Sequence, residues 1–137
     1  MATDSQIKIK EYSEKEYPLQ KEGYQIIGIC MEVHRILGKG LLEIVYKDAI
    51  ECELTRLKIP YTREKKYEVE YKEVILPHHF FADFVVFNKI ILEVKSQKKL
   101  VDEHYSWVLN YLGISKCPLG LLVNFGENSL ITKRIIL

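Results

Sequence analysis

Residues 80–95 read FFADFVVFNKIILEVK, and the way this stretch pairs with itself decides the fold. Its two runs, FFADFVVF and NKIILEVK, are apolar on both faces of an extended chain, as central strands covered from both sides of a sheet are. Three charged residues break the pattern: Asp83 in the first run, Glu93 and Lys95 in the second. Glu93 and Lys95 alternate with Val94, so an extended chain points both to the same side. A two-residue turn at Asn88-Lys89 would pair Asp83 with Val94 and face it away from Glu93. A three-residue connection, Phe87 to Lys89, sets Asp83 opposite Glu93 on one face. A chemical site built on these strands therefore requires the longer connection.

A buried carboxylate is costly unless a hydrogen-bonded partner or a metal ion compensates it. Two carboxylates on adjacent strands beside a lysine form a hard-oxygen site of the kind Mg²⁺ accepts while keeping several waters. The lysine would place a water or balance charge at a phosphate. The other account puts Asp83 and Glu93 at sheet ends, in water, with Lys95 as an ion-pair partner. Spacing alone favours that one, because such pairs are common on sheet faces.

Upstream, Ile26, Cys30, Val33 and Leu37 recur at helical spacing from Tyr24 onward. Gly38 and Gly40 end that helix. A second helix is expected over 41–57, with Leu42, Val45, Tyr46, Ala49, Ile50, Leu54 and Leu57 as its core stripe, so the two form a helical hairpin. Glu43 falls in the first turn of the second helix, where a carboxylate suits the helix dipole, with Tyr46 and Lys47 on the same edge. Beyond Pro60, Tyr67, Val69 and Tyr71 alternate with charges as a half-exposed strand does, and Lys72-Glu73 suggests a turn. Downstream, a third helix is expected over 102–112 with Asp102 as its cap, then closing strands at 119–125 and 130–136. The order is that of a mixed α/β domain.

The length of 137 residues suits one domain with a real core. Residues 1–20 are polar and charge-mixed and read as a flexible arm, leaving 21–137 as the folded domain. The net charge of +1 gives no global electrostatic footprint, so a nucleic-acid partner would need a local basic patch. Lys47, Lys98 and Lys99, beside Lys95, could supply that rim; solvated surface lysines account for them equally well. Nothing in the sequence presents itself as a reader of base edges. Cys30, Cys52 and Cys117 lack metal-ligand spacing and read as reduced cysteines in or near the core. His34, His78 and His79 read as structural or surface residues. No apolar run reaches transmembrane length, and the default reading is a cytoplasmic protein with no membrane partner.

Taken together, these features resemble a known family. Gly40-Leu41-Leu42-Glu43-Ile44-Val45-Tyr46 is similar to the signature of the GxxExxY proteins, placed in the PD-(D/E)xK nuclease superfamily. The resemblance runs from about Tyr24 to Leu137 and includes the Asp83 strand, the ExK of Glu93 and Lys95, the NYL at 110–112 and the GLLVNFG at 120–126. It implies a restriction-endonuclease-like α/β core: a central four-stranded mixed sheet flanked by helices, after an N-terminal helical hairpin. It also implies a Mg²⁺-dependent nuclease, with Mn²⁺ as a substitute and a nucleic acid, DNA first, as partner. On the family pattern Glu43, Asp83, Glu93 and the carbonyl of Val94 would hold the metal, and Lys95 would orient the attacking water.

This sequence departs from the pattern in two places. Ala82 stands where the motif has proline, and Trp107 stands where the third helix of the family carries a glutamine, shortly after His104. An indole donates a hydrogen bond but accepts none, so that glutamine's contribution to water or substrate positioning is not reproduced. The alternative is therefore a nuclease-fold module that binds nucleic acid or a protein partner without cutting. A homodimer stays open.

Overall fold

The computed structural model describes residues 18–137. Two helices, α1 (Gln20–Leu37) and α2 (Glu43–Arg56), precede three strands, β1 (Tyr61–Tyr71), β2 (Val74–Val86) and β3 (Ile90–Lys95). Helix α3 (Asp102–Ser115) then leads to β4 (Leu119–Asn124) and β5 (Ile131–Ile135). The expected arm falls outside the described residues as far as residue 17, and α1 opens at Gln20 rather than at Tyr24.

The strands form one sheet in the order β1-β2-β3-β4-β5. It has five strands rather than the four expected, and the architecture is otherwise the expected mixed sheet flanked by helices. Only β3 and β4 run parallel among these neighbours, because α3 carries the chain back across the sheet between them. Alternation along β3 sorts its side chains. Ile90, Leu92 and Val94 join Phe84, Val86, Leu121 and Val123 under α1 and α2, while Ile91 packs with Val85, Leu122 and the α3 residues Val108 and Leu112. At Gly120 α3 lies so close to β4 that a Cβ would meet Val108 Cγ1 at 2.6 Å.

The hairpin connections settle the register. At the β1–β2 tip Lys72 and Glu73 both take positive φ (48° and 70°) between the paired Tyr71 and Val74, a two-residue turn whose twist suits the strands. The β2–β3 connection differs. Val86 pairs with Ile90, Val85 with Ile91 and Phe84 with Leu92, so Phe87, Asn88 and Lys89 make a three-residue loop. Phe87 and Asn88 are both left-handed there (φ 57° and 58°), an uncommon conformation for a bulky residue. Phe87 is held by its N–H donating to the carbonyl of Pro60 at 2.9 Å and by packing on the core. The next step of this register sets Asp83 opposite Glu93, as a site on these strands requires.

Several expectations need correction. Strand β2 runs through Pro77, with the pairing shifting between Glu68 and Glu70 of β1, which suits a residue without an amide hydrogen. The buried α2 core stripe is Tyr46, Ile50 and Leu54, with Ala49 partly buried against the core. Leu42 precedes the helix and is 73% exposed, and Val45 and Leu57 also face outward. Cys52 is exposed. Asp102 opens α3 but is not its cap; Val101 occupies that place.

Candidate active site

The β2–β3 ladder ends at Phe84–Leu92, and two carboxylates take over from it. The N–H of Asp83 donates to Glu93 Oε2 at 2.7 Å, and the N–H of Val94 donates to Asp83 Oδ2 at 2.9 Å. Each side chain thus reaches across to the other strand's backbone and satisfies an amide that regular pairing would have used. The result is a seam of two carboxylates between two core strands.

Their charges are compensated unequally. Lys47, from α2, is only 13% exposed in its side chain and donates to Asp83 Oδ1 at 3.1 Å and to Glu64 Oε2 at 2.8 Å. Burial pulls the Lys47 pKa down, but the hydrogen bond to Glu64 and the charge of Asp83 outweigh it and leave it raised. At Asp83 burial wins: its carboxyl sits above the usual range despite the Val94 amide and Lys47. Glu93 is 5% exposed, and among the described residues no salt bridge reaches it. Burial first, and repulsion by Asp83 second, push its carboxyl up to about 8.

The other predicted residues distribute around this seam. Lys95 follows Glu93 on the same side of β3 and is half-buried, and its charge is felt at Glu93 and at His104. Val94 enters the seam through its amide. Glu43 opens α2 and its charge also reaches His104. The Ser96 hydroxyl donates to the carbonyl of Leu41 at 2.8 Å and so ties the end of β3 to the start of that helix. Tyr46 is a staple: fully buried, stacked on Phe125 at 4.4 Å, it donates to the Gly38 carbonyl and accepts from the Leu41 amide. His104 accepts the N–H of Val101 on Nδ1 at 3.0 Å, closing the first turn of α3. Burial, with Lys95 adding to it, lowers its pKa. Lys47 is not a rim residue, being engaged in the ion pairs above. Lys98 and Lys99 are exposed on the loop after β3, with Lys99 turned to a separate cavity beside Lys133 and Glu127. Trp107 stands on α3 partly exposed, against Phe80 and Tyr111.

Three contributors escaped the sequence reading. Glu64 shares Lys47 with Asp83. Tyr111, whose hydroxyl donates to the Phe81 carbonyl at 2.8 Å, ties α3 to β2; the NYL motif was its only signal. Fully buried Asn124 holds the loop that follows Lys95, with Oδ1 accepting from the Gln97 amide and Nδ2 donating to the Gln97 carbonyl, both at 2.9 Å. The neighbouring Gly126 is obligatory, since a Cβ there would lie 2.0 Å from the Gln97 carbonyl oxygen. The pair Asn124 and Gly126 was visible in GLLVNFG, but its partner was not.

A family model described as the PD-(D/E)XK nuclease superfamily matches residues 20–135. The chain belongs to the PD-(D/E)XK nuclease superfamily. Among solved structures, the crystal structure of SSO0001 is similar in fold, with a TM-score of 0.51 at 16% identity, covering 67% of this chain and 48% of that one. No curated protein matches the chain.

PD-(D/E)XK nucleases usually work with divalent metal ions, and the seam suits one in its chemistry. Its donors are carboxylate oxygens, which hard cations prefer, and the buried Glu93 carboxyl has no salt-bridge partner among the described residues. Among the described residues no three His, Cys, Asp or Glu side chains gather around one point. Asp83 and Glu93 would therefore be the protein's own anionic ligands, water would complete the shell, and Glu43 stands outside the pair.

Proposed function

We propose that this PD-(D/E)XK chain is a divalent-metal-dependent phosphodiesterase acting on nucleic acid, with Asp83, Glu93 and Lys95 as its catalytic residues. The observation that carries the reading is the seam itself: two buried carboxylates stitched across β2 and β3, with Lys95 next on the same side. A Mg²⁺ or Mn²⁺ ion bound there would neutralise the phosphate and acidify a water. Lys95 would hold that water in line and face the charge that develops on the phosphate oxygens. Asp83 is kept in place by the Val94 amide and Lys47. Glu43 and His104 flank this edge, with Lys98 as an outer phosphate contact. The narrower GxxExxY kinship rests on the sequence motifs quoted above.

The test is cleavage of labelled single- and double-stranded DNA and RNA with Mg²⁺ or Mn²⁺, beside an EDTA control and Lys95→Ala. Cutting that needs the metal and falls about 10²–10³-fold in Lys95→Ala is the expected result. One observation favours a second reading, a non-cutting binding module: the Lys47 ammonium already occupies Asp83 Oδ1. Binding without cutting of any substrate, from folded protein, would select that module instead.

A further inference from the structure

Beside the seam, α3 presents a surface of another character. Glu103, Ser106, Trp107 and Asn110 recur at i, i+3, i+4 and i+7, which is one face of a helix. With Phe80 of β2 they line a cavity of about 300 Å³. The Trp107 indole is fixed from two sides. Phe80 meets it edge-on, with ring centroids 6.0 Å apart, and Tyr111 lies tilted against it at 6.2 Å. Tyr111 is itself anchored by its bond to the Phe81 carbonyl. Trp107 nevertheless stays 46% exposed, so a large, immobilised aromatic surface is open to solvent. Around it, the side chains of Glu103, Ser106 and Asn110 make no hydrogen bond with another described residue.

A rigid aromatic plate rimmed by unengaged donors and acceptors suits a flat heteroaromatic ring, which stacks on the plate and hydrogen-bonds through its edge. The Glu103 carboxylate repels phosphate but accepts from an exocyclic amino group. What enters is therefore the base rather than the backbone. Phe80, in the lining of the cavity, lies three residues from Asp83 on β2, roughly 10 Å along the strand.

We infer that the Trp107–Phe80 cavity receives one unstacked base of a single-stranded nucleic acid whose backbone passes the Asp83–Glu93 seam. This rests on the nucleic-acid reading above and names its substrate class. Duplex substrates would be taken only at frayed or single-stranded ends.

Trp107 is the sole tryptophan of the chain, so intrinsic tryptophan fluorescence reports on this cavity alone. Wild-type protein in EDTA is titrated with single-stranded oligonucleotides, with an oligomer of abasic sites of equal length, and with a blunt duplex. Expected is quenching by the single strands and little by the other two. Labelled single strands, followed by anisotropy, should bind Trp107→Ala roughly tenfold or more weakly, the usual scale for losing one stacked base, while Trp107→Phe keeps most of the affinity. Quenching that the abasic oligomer matches, no quenching by any probe, or unchanged affinity in Trp107→Ala would each overturn the inference. Cleavage without base-dependent quenching removes this inference and leaves the nuclease; base-dependent quenching without cleavage does the reverse.

Discussion

Asp83 and Glu93 oppose each other across one strand pair, yet the helices on the two faces of the sheet supply them with different surroundings. Helix α2 sends Lys47 to Asp83, which gains an ammonium and an amide as partners. Helix α3 brings no cation into contact with Glu93; it brings aromatic residues, and its one nearby imidazole is occupied with the Val101 amide. One carboxylate has an ammonium in contact; the other feels only the more distant charges of Lys95 and Lys47. Buried charge is costly unless a partner relieves it, so the proposed metal would gain most at Glu93, where the protein supplies no salt bridge among the described residues.

Removing the balance should have the largest effect on stability. Lys47→Ala would strand Asp83 as a buried, unpaired carboxylate and destabilise the protein by about 2–4 kcal/mol, somewhat under the usual cost of breaking a fully buried pair. Denaturant unfolding at pH 7 measures it, and Mg²⁺ should recover part of the loss by replacing the ammonium. A cost below about 0.5 kcal/mol would mean that the two carboxylates do not differ as described.

The Glu93 side gives the opposite sign. Its folded pKa, about 8, lies above the ordinary glutamate value of 4.5. The protonated form is therefore the one folding favours. Stability from this group is fully present below pH 4.5 and is lost as pH rises toward 8. A tenfold difference in proton affinity between the folded and unfolded chain corresponds to about 1.4 kcal/mol. With the proton shared between Glu93 and Asp83, the loss should reach roughly 2–3 kcal/mol. Glu93→Gln should remove this slope and raise the stability of metal-free protein at pH 8, while abolishing metal-dependent stabilisation. Parallel pH–stability curves for the two proteins would contradict the buried, uncompensated state of Glu93.

The smallest effect belongs to the aromatic side. Tyr111→Phe deletes only the hydroxyl bond to the Phe81 carbonyl and should cost about 1 kcal/mol. By loosening the support of Trp107, it should also weaken single-strand binding a few-fold. Lost stability with unchanged binding would separate the Tyr111 anchor from the base cavity.

Much of this was legible in the sequence, because it depends on short-range patterns. The helical hairpin and the Lys72-Glu73 turn follow from periodicity and turn chemistry. Spacing left the β2–β3 connection open and favoured Asp83 and Glu93 at sheet ends in water, and only the family resemblance singled out Asp83, Glu93 and Lys95 as a site. The errors arose where packing overrides pattern. Leu42, Val45 and Leu57 matched an apolar stripe, but α2 meets the sheet along a narrower one, and no local rule says how wide the contact is. Lys47 looked like any exposed helix lysine until the sheet brought Asp83 and Glu64 within reach.

The sequence by itself therefore determined which charged groups interrupt its apolar runs and in what order they lie along the chain. The tertiary structure decided which of them are charged partners, which are props and which are left uncompensated. Periodicity records the side of an element a residue occupies, whereas pairing energies and burial depend on residues 11 to 36 positions apart, as in Val94 with Asp83 and Lys47 with Asp83. Trp107 shows the same division. Its sequence position marked only a departure from a family pattern, and its neighbours Phe80 and Tyr111 turned that departure into a surface fit for a base.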